Sequence, residues 1–127
     1  MGPNIYDFSG WLSLSSLDGS STQSPSKPSG ADVFVRPNLF QAKRANIVVY
    51  NWALSPNVAV DVSQVLKPGD PFELRNVQDY WKDMILATYD GKPLRVPMTG
   101  RTVAAPVGWQ TPASTFPEFG VFVLEKN

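Results

Sequence analysis

The chain contains no cysteine and no histidine. The first absence removes disulfides, thiolate metal sites and thiol nucleophiles together. The second removes the commonest proton shuttle near neutral pH and the usual imidazole donor to transition metals. Serine–histidine triads and histidine zinc sites are excluded, and any chemistry would rest on carboxylates, lysine, tyrosine or an oxygen-ligated metal. Net charge is missing as well: eleven Lys+Arg balance eleven Asp+Glu, so no overall field draws the chain to nucleic acid or an anionic membrane. No stretch approaches twenty apolar residues, and no basic start leads into an apolar run, so neither a spanning helix nor a signal peptide is expected. Twelve prolines in 127 residues leave no room for helices of ordinary length.

What is present suffices for one core, because 43% of the residues are hydrophobic and the length suits a single domain. Ile5, Phe8, Trp11 and Leu12 recur at spacings near three or four, with Asp7 or Ser9 placed as a cap. They predict a short helical turn within an N-terminal segment, 1–16, that must dock on something to persist. Residues 17–31, nearly all Ser, Pro, Gly and small polar side chains, read as a linker or surface loop.

From residue 32 to 127 the pattern changes to short runs of Val, Ile, Phe, Tyr and Trp bounded by turn residues. Strands are expected at Asp32–Arg36, Ala45–Trp52, Asn57–Val62, Phe72–Asn76, Met84–Tyr89, Pro93–Pro97 and Phe119–Glu125. Val58, Val60 and Val62 alternate with Ala59, Asp61 and Ser63, as a strand with one wet face requires. Ile47–Tyr50 and Phe122–Leu124 are apolar on both faces, which suits central strands. Turns are signalled at Ser55-Pro56-Asn57, at Lys67-Pro68-Gly69-Asp70 and at Asp90-Gly91, the last reading as a hairpin. The expected fold is therefore all-β, an antiparallel β-sandwich of about seven to eight strands with a short N-terminal helical turn and a Ser/Pro-rich linker. One connection, Thr99 to Pro117, is long and proline-rich. It is expected to fold across one end of the sandwich with Trp109 as a plug, the alternative being a loop that presents Trp109 to a ligand.

Candidate chemistry is sparse. Glu73, Asp79, Asp83, Asp90 and Glu118 are the acids available for a glycan-cleaving pair, but they scatter over strand ends and turns, no spacing implies two of them facing across a cleft, and most read as solvated turn acids. Asn76, Asp79, Asp83 and Asp90 could hold a structural calcium, yet they lack any ligand pattern, so no cofactor or metal is assigned. The aromatics Tyr50, Trp52, Tyr80, Trp81, Tyr89 and Trp109 are more informative, since such rings either fill a core or stack on the apolar C–H faces of sugars. Trp52 is expected in the core. Tyr80 and Trp81, flanked by Gln78, Asp79, Lys82 and Asp83, are candidates for a ligand platform together with Trp109. The site expected from sequence is thus Gln78, Asp79, Tyr80, Trp81 and Trp109, with no catalytic residue.

The segments VFVRPN (Val33–Asn38), RANIVVYNW (Arg44–Trp52), FELRNVQD (Phe72–Asp79), TYDGKPLRVPMTG (Thr88–Gly100) and FGVFVLEK (Phe119–Lys126) resemble the C-terminal region of bacterial right-handed parallel β-helix repeat proteins. More loosely they resemble the C-terminal all-β domains of glycoside hydrolases. The resemblance implies an extracellular or periplasmic parent protein and a non-catalytic accessory module. Its partner would be polysaccharide or a neighbouring catalytic or β-helix domain, with a homo-oligomer as another way to cover an apolar face. The alternatives are a purely structural capping or oligomerisation module without ligand, and a small carboxylate-dependent glycan-cleaving enzyme.

Overall fold

The computed structural model describes residues 5–17 and 19–127. Residues 1–4 of the expected N-terminal segment and Asp18 of the expected linker lie outside the described residues. Among the described residues one helix, α1 (Phe8–Ser15), precedes seven strands: β1 (Asp32–Pro37), β2 (Arg44–Tyr50), β3 (Asn57–Val60), β4 (Pro71–Asn76), β5 (Met84–Thr88), β6 (Leu94–Pro97) and β7 (Phe119–Lys126). Every strand ends within two residues of its expected position. The fold is all-β, with the strands in two antiparallel sheets.

Asp7 caps α1 by accepting the Gly10 N–H at 2.7 Å, and Ser16 ends the helix in the left-handed region while its N–H reaches the Leu12 carbonyl. Phe8 and Trp11 stack on each other at 6.3 Å. The helix buries no residue, so the docking expected of it is not seen among the described residues.

The larger sheet runs β1-β2-β7-β4-β5 and the smaller is the pair β3-β6. Alternation along each strand sorts the side chains into an inner and an outer face. Ile47 and Val49 of β2, Phe122 and Leu124 of β7, and Phe72 and Leu74 of β4 point inward and are buried. They meet Val58 and Val60 of β3 and Val96 of β6, with Val62, Leu66, Tyr89 and Met98 completing one core. Each such side chain contributes about 1.5–3 kcal/mol by leaving water. Val123, on the outer face, is also buried, between Asn46 and Arg75 in register on either side. Both sides of β7 are therefore covered, as its uninterrupted apolar run requires.

The Asp90-Gly91 reversal corrects the expected hairpin. The turn is present, with Gly91 at φ 90° and the Asp90 carboxylate accepting the Lys92 N–H, yet β5 and β6 lie in different sheets. The same holds for Ser55–Asn57 between β2 and β3 and for the Lys67–Asp70 turn between β3 and β4. These turn residues reverse the chain but arch it from one sheet to the other, because the inward stripes on both sides must face the same core. Among the described residues only β1–β2 and β4–β5 are hairpins between consecutive strands.

Candidate functional site

The chain leaves β4 through a 3-10 turn at Val77–Asp79, which Asn76 caps by accepting the Gln78 N–H at 3.0 Å. Tyr80 and Trp81 follow at once and meet edge to face, with ring centroids 5.1 Å apart at 85°. Arg75 pairs across the sheet with Val123 and Met84 and so points to the outer face, where its guanidinium lies 5.1 Å from the Tyr80 ring centre and 5.9 Å from that of Trp81. Arg75 donates to the Tyr80 carbonyl at 3.0 Å and ion-pairs with Glu73. A desolvated cation beneath two rings fixes their orientation and adds cation–π attraction. Trp81 is nonetheless 78% exposed, an indole braced by Tyr80 and Arg75 and otherwise open to solvent.

The same outer face carries a second aromatic group. Tyr50 of β2 stacks on Trp52 at 5.8 Å and 12°, meets Phe34 of β1 edge-on, and tilts against Phe119 of β7 at 5.1 Å. Trp52 is therefore not a core residue: it is half-buried outside the sheet, and its indole N–H donates to Asp32 at 2.8 Å. Tyr89, by contrast, lies in the core. Phe34 and Phe119 escaped the sequence reading, although both occupy the outward parity of their strands, Phe34 between Val33 and Val35 and Phe119 in step with Val121. The face from β1 to β5 spans four interstrand steps, roughly 19 Å. It bears rings towards both margins, Phe34 and Tyr50 on one side and Tyr80 and Trp81 on the other.

Gln78 and Asp79 perform a different task from the one expected of them. The Gln78 carbonyl accepts the Ala104 N–H at 2.8 Å, while its side-chain amide donates to the Ala113 carbonyl and accepts from the Thr115 N–H and hydroxyl. One residue thus clamps the outgoing and returning limbs of the long loop. Asp79 is buried and accepts the Thr102 hydroxyl. Asp83, also buried, accepts from Asn76 and from the Thr102 N–H, each at 3.0 Å, and ion-pairs with Arg101 at 2.8 Å. These two acids are not solvated turn residues. They hold the start of the loop, as buried carboxylates must when each needs donors or a counter-charge. Asn51 secures the far end through the Pro117 and Glu118 carbonyls.

Between its clamps the loop projects. All residues from 104 to 115 are exposed, and a turn at Val107–Trp109, with Gly108 at φ 77°, sets Val107 fully and Trp109 82% in solvent. The plug reading of Trp109 is overturned: the clamps pin the base of the loop, and Met98 and Phe116 rather than Trp109 pack against the core. Of the five expected site residues the structure brings Tyr80 and Trp81 together on Arg75, uses Gln78 and Asp79 as loop anchors, and presents Trp109 separately at the loop tip.

Of the acids weighed for metal or hydrolysis, Asp79 and Asp83 adjoin, but Asp90 lies beyond the opposite end of β5, on the turn it caps. Among the described residues no group of three or more acids is gathered as a metal would need, and no helix is long and apolar enough to cross a membrane. No protein-family model, curated protein or solved structure matches this chain.

Proposed function

We propose that this domain is a non-catalytic accessory module that binds polysaccharide through the outer face of its larger sheet, in an extracellular or periplasmic parent protein. One observation carries the reading: Trp81 is 78% exposed although Arg75 and Tyr80 hold it in place. A rigid exposed indole has little rotamer entropy to lose on stacking against the apolar face of a sugar ring. Phe34 and Tyr50 lie on the same face, so an extended glycan crossing the strands would meet rings at both margins. Lys82, exposed beside Trp81, supplies hydrogen bonding for hydroxyls. Affinity electrophoresis on a panel of plant, algal and bacterial polysaccharides tests this. Retention on at least one glycan is expected, with Trp81→Ala abolishing it and leaving the melting temperature unchanged. Indifference to every glycan, or full retention by the Trp81→Ala variant, overturns it.

A second reading, a structural capping or oligomerisation module, draws on the exposed Val107 and Trp109 at the loop tip. Light scattering separates the two, because a glycan-indifferent dimer or trimer supports the structural role.

A further inference from the structure

The two margins of the larger sheet are protected very differently. β1 presents Asp32, Arg36 and Pro37, the charges and proline that normally discourage further pairing. β5 is Met-Ile-Leu-Ala-Thr, five residues without charge or proline, and among the described residues only β4 pairs with it. The hydrogen-bond phase fixes which backbone groups of β5 are free. Asn76 donates to the Asp83 carbonyl and Tyr89 to that of Asp70, so the odd-numbered residues of this segment bond to β4. The N–H and C=O groups of Met84, Leu86 and Thr88 consequently face away from the sheet.

Beside this edge the sandwich is open. A cavity of about 370 Å³ lies between β5 and β6, walled by Phe72, Leu74, Ile85, Ala87 and Val96. Lys92 and Arg95 also line it, against the single acid Asp90, whose carboxylate already accepts the Lys92 N–H. Neither cation ion-pairs among the described residues, and the groove carries an excess of positive charge.

We infer that β5 and this groove form a strand-addition site for an extended, acidic segment of a partner polypeptide. The added strand bonds to Met84, Leu86 and Thr88, its inward side chains enter the groove, and its carboxylates meet Lys92 and Arg95. The uncompensated cations select an acidic partner over a second copy of this chain, because an incoming β5 is neutral and would bring its own Lys92 and Arg95 with it. This site is independent of the aromatic face.

The test titrates the 15N-labelled protein with acetyl-Asp-Thr-Val-Thr-Val-Thr-Asp-amide, which places Val and Asp on one side of a strand, and with the Lys-ended analogue. The acidic peptide is expected to shift and protect the amides of Leu86 and Thr88 at concentrations up to about 1 mM, and to bind at least tenfold more tightly than the basic one. Arg95→Glu should remove or reverse that preference. Leu86→Pro should abolish binding while keeping the fold, since the N–H it deletes bonds to nothing in the sheet. Absence of amide shifts with the acidic peptide overturns the inference, as does equal binding of the two peptides. A peptide-free dimer that Leu86→Pro dissolves also overturns it, by making a second copy the occupant.

Discussion

Asp83 illustrates how much of this structure hangs on single polar side chains. Its carboxylate joins Asn76, the Thr102 N–H and Arg101, in a place where water does not compete. Asp83→Ala leaves Arg101 mostly buried without a counter-charge and is expected to cost about 3–5 kcal/mol in urea denaturation. Asp70 holds together another set of charges. Lys126 at 2.6 Å, then the Lys67 N–H, keep its carboxyl below the usual carboxylate range, while Lys126 is raised by the same bond and Lys43 is lowered by sitting against Lys126. A depressed acid stabilises the fold fully above its unfolded pKa, about 4, and that contribution disappears as pH falls through the folded value. The difference in melting temperature between the wild type and Lys126→Met should therefore be widest near pH 7 and should shrink below about pH 4. A difference that grows on acidification would contradict the assignment.

The long loop is held by donors and acceptors at its base and left bare at its tip. Gln78→Ala removes the amide that joins the Ala113 and Thr115 limb to the 3-10 turn after β4. The variant is expected to lose about 1–2 kcal/mol and to be nicked by protease between 105 and 112 well before wild type; identical digestion rates would argue against the clamp. None of this was legible in the sequence, because Gln78 is one polar residue among several and its partners lie 26 to 37 positions away. The strands were legible for the opposite reason. Val58, Val60 and Val62 carry their burial in a local alternation, and all three are buried. Turn residues such as Asp90-Gly91 gave the reversals but not the sheet on the far side, since that choice depends on which stripes share a core. For the aromatics, parity separates inward from outward positions once the register is known, which is how Phe34 and Phe119 join the candidate face and Trp52 leaves the core.

As a body the domain is electrically neutral, and its candidate glycan face relies on rings more than on charges. Stacking on such a face is little affected by screening, so retention on a polysaccharide should change less than about twofold between 0.05 and 0.5 M salt. A steep loss with salt would point to ionic recognition instead. The order of the larger sheet has a further consequence. β7, the last strand among the described residues, inserts between β2 and β4 and is the one bridge there between the β1–β2 and β4–β5 hairpins. Without residues 119–126 nothing joins the two hairpins into one sheet, and the core is short of Phe122 and Leu124. Closure of the larger sheet and of its core therefore waits on the last strand to be made, however early the two hairpins form.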